Sequence, residues 1–310
     1  MSRYRDVEHR MHSLDEISGI MRSMKALSLM ETRKLTGFLE SQQRVVQTVE
    51  RMAADFGQHY PLSTGGRPTD QGRHIFLLIG SERGFCGDFN DALIAAVDED
   101  TQHLPPEQLA LIAVGHKLHA RLEGDPRLAA TAAAPVVAEE VRATLTHLVG
   151  IIADLQRGHG DLRLTALHHD MDRPGLRRRP VLPPFEQPSA GKPLFAFPPR
   201  LNLAPERFLG HLVDEYLFSI LNEIFYTSMM AENHRRVQHL DGALDRLERE
   251  THQLTVQRNR QRQEEITEEI EIIMLNTGAV GPAHPDSADA GDPWRTGPAD
   301  VRKPSHRGPR

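Results

Sequence analysis

At 310 residues the chain is long enough for one or two domains and a sizeable core. A net charge of −6 argues against a dedicated nucleic-acid binder. A single cysteine, Cys86, excludes an internal disulfide framework and suits a reducing compartment.

Residues 1–60 contain no proline. The opening MSRYRDVEHR lacks the apolar core of a signal peptide, and no run approaches the ~18 apolar residues of a spanning helix, so no direct membrane insertion is expected. Val7, Met11, Leu14, Ile17, Met21, Met24 and Leu27 recur at three- and four-residue steps and predict one apolar face of a long helix. Methionine fills irregular gaps, so this stripe reads first as a packed face. A polar Gly/Pro loop follows at 61–72. His74 to Ile79 then forms a short apolar run closed by Gly80, which reads as a buried strand. Further along, the pattern predicts a helix over 89–101, a strand over 109–114, a short helix to Leu122, an amphipathic helix over 137–155 and a strand over 162–168. Strands alternating with helices over 73–171 predict a small, parallel, Rossmann-like α/β domain.

Residues 172–205 carry nine prolines and the triplet Arg177 to Arg179, and are expected to be mostly a connecting loop. From Glu206 to Gly281 proline is absent again. Because proline in a helix interior costs ~3 kcal/mol, this avoidance predicts a helix of roughly 70 residues, about 105 Å long. Leu240, Leu244, Leu247, Thr251 and Leu254 form a coiled-coil seam within it. Between Leu254 and Ile266 only Val256 is strongly apolar, a polar surface suited to solvent or to surrounding chains. The tail 279–310, rich in Pro, Gly, Asp and Arg, is expected to be disordered. The predicted architecture is a long antiparallel coiled coil of the N- and C-terminal helices (1–60 and 206–278) with the α/β domain inserted between them.

No catalytic constellation stands out. GSERGFCG (80–87) lies between a strand and a helix, where phosphates bind, but its glycines miss the GxGxxG spacing and no GK[ST] follows. Cys86 has no activating base placed by sequence and reads as a small buried thiol. His168 and His169 are adjacent on a strand and face opposite sides, which disfavours joint chelation; no metal is expected. The arginine triplet reads as a solvated loop.

Three stretches, in order, resemble one family. Met24-Lys25 followed by Arg33-Lys34 is similar to the AMKxVAxxKxRK segment of F-type ATP synthase gamma subunits. SERGFCGDFN (81–90) is similar to their SDRGLCGGLN signature, and NRQRQEEITEEI (259–270) to NxxRQxxITxEL. Glu232 and Arg236 fall where the family has SExxAR. The resemblance implies a rotor shaft with no active site and no cofactor of its own. Its implied partners are the alpha and beta subunits, epsilon and the membrane c-ring, with no nucleic acid. Its implied location is the cytoplasmic face of a bacterial inner membrane, as a peripheral part of the complex. It also implies partner contacts at Met24, Lys25 and Arg33 near the catalytic levers. Arg83, Gly84, Cys86, Gly87 and Asn90 would belong to the foot, Arg236, Gln263, Thr267 and Glu269 would meet the ring, and Glu232 and Arg262 would be further partner contacts. Glu31, where the family usually has lysine, Asp88 for glycine and Ile272 for glutamate mark a divergent branch, as in the N-type enzymes that some bacteria carry beside their main synthase. The remaining alternative from the residues alone is a stand-alone phosphate- or nucleotide-binding α/β enzyme dimerised by its helices.

Overall fold

The structure, a computed structural model, describes residues 2–60, 73–159, 162–171, 175–185 and 197–278. The expected disordered tail, 279–310, lies outside these residues. Two helices frame the chain, α1 (Ser2–His59) and α5 (Pro205–Gly278). Between them come β1 (Arg73–Ile79), α2 (Phe89–Thr101), β2 (Leu109–Val114), α3 (His116–Leu122), β3 (Leu128–Ala132), α4 (Val141–His159), β4 (Leu162–His169) and β5 (Leu176–Leu182).

The two long helices pair antiparallel. Arg10 meets Glu250, Lys25 meets Asp241, Phe38 stacks on Tyr226 with centroids 5.8 Å apart, and Phe56 packs on Phe208 at 5.1 Å. Each step up α1 is matched by a step down α5. The buried positions of α1 include Val7, Ser18, Met21, Ser28, Leu35, Val46, Val49, Ala53 and Phe56. Half-buried Met11, Leu14, Lys25, Thr32, Leu39 and Gln42 fill the gaps, so the seam alternates four- and three-residue steps without a break. That is the 3.5-residue repeat of a left-handed supercoil.

The seam corrects the apolar stripe read from sequence. Ser18 and Ser28 are buried at 8% and 4% exposure, whereas Ile17 and Leu27 are exposed at 46% and 56%. Val7, Met11, Leu14 and Met21 lie in the seam as the sequence suggests, while at 17/18, 24/25 and 27/28 the seam position is the residue after the apolar one. On α5, Leu240 and Leu254 are buried, and Leu244, Leu247 and Thr251 half-buried between them.

The sheet has the order β3-β2-β1-β4-β5, parallel except for the antiparallel edge strand β5. Side chains alternate across a strand, and the core divides accordingly. Ile75, Leu77 and Ile79 of β1 pack with Leu35, Val49 and Ala53 of α1, Val141, Leu145 and Leu148 of α4, and Ile220, Ile224 and Phe225 of α5. Phe76 and Leu78 face the other way, onto Leu93 and Val97 of α2 and Leu118 and Leu122 of α3. From Ser219 to Asn233, α5 is covered on nearly all sides, because α1 lies on one side and the sheet on the other.

Two elements differ from expectation. The arginine triplet is not a loop: it lies in β5, where Arg177 pairs with Asp170, Arg178 with Asp100 and Arg179 with Glu50. Charged residues and Pro180 on an edge strand also discourage pairing with another chain. β3, Leu-Ala-Ala-Thr-Ala in sequence, has no counterpart in the sequence-based reading. The fourth helix starts later than expected, a 3₁₀ turn at Ala138–Glu140 leading into α4.

Contact clustering separates Arg258–Arg310 from Met1–Gln257. Within the former, the described residues continue the helix and are mostly exposed, including Ile266, Ile270, Ile272, Ile273, Met274 and Leu275. Among the described residues no helix is long and apolar enough to cross a membrane.

Candidate functional site

The signature loop between β1 and α2 is built to dock onto α5. Gly80 closes β1 by donating its N–H to Val114 O at 2.9 Å. A Cβ there would lie 2.5 Å from Leu118 Cβ and 2.7 Å from Asn90 Oδ1, so no larger residue fits without displacement. Asn90 then ties the turn across its base: Ser81 N–H donates to Asn90 Oδ1 at 3.0 Å, and Asn90 Nδ2 donates to Ser81 Oγ at 2.9 Å. Glu82 accepts backbone N–H groups from His116 at 3.0 Å and Ala134 at 2.9 Å. A carboxylate thus sits at the start of α3.

Arg236 closes the loop from the helix side. Its Nε donates to Gly84 O at 3.1 Å, Nη1 to Asn233 Oδ1 at 3.1 Å, and Nη2 to Arg83 O at 3.4 Å and to Cys86 Sγ at 3.2 Å. Nη2 also pairs with the Glu232 carboxylate one turn earlier on α5. Both residues are buried, Arg236 at 5% and Glu232 at 7% exposure. Burial raises the Glu232 carboxyl above its ordinary range, and the adjacent guanidinium opposes that rise.

This geometry speaks against a phosphate cradle. Phosphates are held by N–H groups that point out of a loop; here loop carbonyls point at a guanidinium, and the free end of α3 is filled by Glu82. Cys86 is buried, and desolvation pushes its thiol up to about 11, which disfavours a thiolate nucleophile. The backbone reaches the left-handed region at Phe85 (φ 65) and Gly87 (φ 62), where the loop reverses to present its carbonyls to Arg236.

The two histidines of β4 are structural. His168 Nδ1 lies 3.0 Å from His169 O, and His169 Nε2 lies 2.8 Å from Phe89 O, so each ring nitrogen donates to a carbonyl. The His169 ring stacks on Phe89 at 3.9 Å. Burial lowers both pKa values, that of His168 to about 4. Among the described residues, no group of three or more His, Cys, Asp or Glu side chains is placed to hold a metal ion.

The residues singled out from sequence therefore separate into two sets. Arg236, expected to meet a surrounding ring, and Glu232, expected to contact a partner, are turned inward and hold the loop 83–86. Gly84, Cys86 and Asn90 belong to the same internal junction. Lys25 pairs across the seam with Asp241. Met24 is half-buried and lines a cavity of about 250 Å³ with Arg83, Glu31 and Glu82. Arg33, Arg83, Gly87, Arg262, Gln263, Thr267 and Glu269 are exposed. Thr267 Oγ1 donates to the backbone carbonyl of Gln263 at 2.8 Å, and the Gln263 residue is exposed. Sequence reasoning missed Glu82, whose partners lie on other elements, and Asn233, which supports Arg236 from the preceding turn of α5.

Solved structures share the fold. The fold is similar to that of a chain in the Euglena gracilis mitochondrial ATP synthase, a cryo-EM structure of OSCP/F1/c-ring in rotational state 3. That chain has a TM-score of 0.57 and 15% identity, with 93% of this chain and 99% of that one covered. A chain of the central stalk/c-ring of the Tetrahymena thermophila mitochondrial ATP synthase matches at a TM-score of 0.52 and 17% identity, covering 72% and 99%. Among curated proteins, the ATP synthase gamma chain of Pelotomaculum thermopropionicum is 25% identical over 90% of this chain and 100% of its own length. That of Heliobacterium modesticaldum is 24% identical over 89% and 99%. The ATP synthase family profile matches residues 3–279. The chain belongs to the ATP synthase gamma family, and the stand-alone enzyme considered from the sequence is not favoured.

Proposed function

We propose that the chain is the central shaft of a rotary ATP synthase, carrying torque between a c-ring and a catalytic ring of alpha and beta subunits. It performs no chemistry of its own; catalysis belongs to the ring. The observation that carries this reading is mechanical. An antiparallel helix pair is fixed to an α/β domain along both helices, so a twist applied to one part is delivered to the other. Lock points include Arg236 at the loop, Gln42 Nε2 to Ser219 O at 3.2 Å, and Ser228 Oγ to Ile79 O at 3.3 Å.

In this reading the end of α5 turns inside the catalytic ring. Arg262, Gln263, Thr267 and Glu269 make polar, exchangeable contacts there, since large apolar contacts would favour one angle. Arg33, with Met24 beside the cavity, faces the moving parts of the ring. The α/β domain, with Arg83 and Gly87 at its loop, forms the foot toward epsilon and the c-ring. The expected location is the cytoplasmic face of a bacterial inner membrane, in keeping with the bacterial relatives.

Affinity purification of the tagged chain from its own cells, with subunit stoichiometry by mass spectrometry, tests the reading. Alpha-like and beta-like chains in equal number, and in excess over the tagged chain, support it. Recovery of the chain alone would contradict it.

A further inference from the structure

Position 31 carries an acid on α1, and the structure gives that acid an internal partner. Glu31 Oε1 accepts the backbone N–H of Ala138 at 2.8 Å. Ala138 opens the 3₁₀ turn that runs directly into α4, and the residue before it, Val137, supplies no side-chain cap. The first N–H groups of a helix lack intrahelical partners and favour negative charge. One of them is met here from a different helix, α1, 107 residues earlier in sequence. Three residues along α1, Lys34 pairs with Glu139, the next residue of the same turn. Glu140 reaches back to Val136 N–H at 2.8 Å and holds the segment from its own side.

The placement matters because the seam is weak at this level. Ser28, one turn before Glu31, is a buried seam residue with almost no knob to resist sliding. Arg236 anchors α5 to the domain through its hydrogen bonds to the loop 83–86. Leu35, Phe38 and the Glu50–Arg179 pair hold α1 farther along, and Glu31 and Lys34 add a polar anchor at the level of Ser28.

We propose that Glu31 and Lys34 form a brace that locks α1 to the start of α4, so that both helices of the shaft are fixed to the α/β domain and cannot slip past each other under load. The acid at 31 is a positioning residue for torque transfer rather than a contact with the catalytic ring. The torque part rests on the rotor reading above; the brace itself does not.

Hydrogen exchange on the purified full-length chain tests the brace. Glu31→Lys raises exchange of the Ala138 amide and the first turn of α4 about tenfold, as loss of a helix cap does, and leaves the loop 82–88 protected. Glu31→Gln, which keeps an acceptor, gives a smaller rise. Lys34→Glu loosens the same segment, and adding Glu139→Lys restores protection. Unchanged exchange over 136–145 in Glu31→Lys, or equal loosening throughout the chain, overturns the brace. In the assembled complex, Glu31→Lys increases the torsional fluctuation of the shaft without changing subunit stoichiometry. Loosened exchange with unchanged stiffness overturns the role in torque. Failure of the wild-type chain to assemble with any ring would instead overturn the rotor reading and leave the exchange result standing.

Discussion

Replacing Arg236 by methionine removes the guanidinium that joins α5 to the loop 83–86 while keeping most of the side-chain volume. Five partners then lose their donor: Gly84 O, Arg83 O, Asn233 Oδ1, Cys86 Sγ and the buried Glu232 carboxylate. Removing one member of a buried ion pair costs ~3–5 kcal/mol, mainly because the other charge is left unpaired. With an m-value of ~3 kcal/mol/M in urea, the unfolding midpoint falls by about 1 M or more. Glu232→Gln leaves Arg236 with its neutral acceptors and costs less, ~1–3 kcal/mol. The double variant loses less than the sum, because its two defects are one broken pair. A second readout comes from Cys86, whose Sγ accepts a hydrogen bond from Arg236 at 3.2 Å. Thiol labelling at pH 8 accelerates at least about tenfold in Arg236→Met, as a local opening equilibrium rises. A midpoint within about 0.3 M of wild type, with unchanged labelling, would refute the claim that this residue holds the loop.

Other expectations follow from the same geometry. Gly80→Ala forces a Cβ into Leu118 and Asn90 and costs ~1–3 kcal/mol in urea or thermal unfolding; a neutral effect would show that the turn yields freely. In the wild-type chain, burial of Cys86 makes native labelling at pH 8 over about 100-fold slower than in denaturant, and comparable rates would contradict the buried thiol. His168, held neutral by burial with a pKa of about 4, contributes stability that is complete above the unfolded value near 6.5 and is lost as pH falls toward 4. The loss amounts to about 3 kcal/mol, and His168→Gln flattens that part of the stability profile; an equally steep profile in the variant would place the titration elsewhere. Gln263→Leu combined with Thr267→Val weakens coupling of ATP hydrolysis to ion pumping and leaves the α/β domain folded. Unchanged pumping would remove those two side chains from the proposed ring contacts.

Much of the fold was legible because its signals are local. The run before Gly80 marked β1 and the pattern over 89–101 marked α2, since burial on one or both faces writes apolar periods into the chain. β5 was hidden because its arginines and proline read as a loop; they pair with Asp100 and Glu50, far away in sequence. β3 was hidden because a short Ala/Thr edge strand has little apolar signal. The seam of α1 was read correctly at Val7, Met11, Leu14 and Met21 but misplaced by one residue beside Ser18 and Ser28, which are small, polar and buried while Ile17 and Leu27 face outward. The signature loop was recognisable, yet the inward role of Arg236 was not. That role depends on carbonyl groups some 150 residues earlier, and no local pattern records where a guanidinium points.

The most direct test of the account is rotation itself. Glu99 is exposed on α2 of the α/β domain, and Glu99→Cys gives a reactive thiol there while Cys86 stays buried. The labelled chain, assembled with its own alpha and beta subunits on an immobilised ring, carries a visible marker. The account predicts that ATP drives continuous rotation of the marker in one direction, with hydrolysis and turning in step. Hydrolysis by a complete complex with a stationary marker would contradict it.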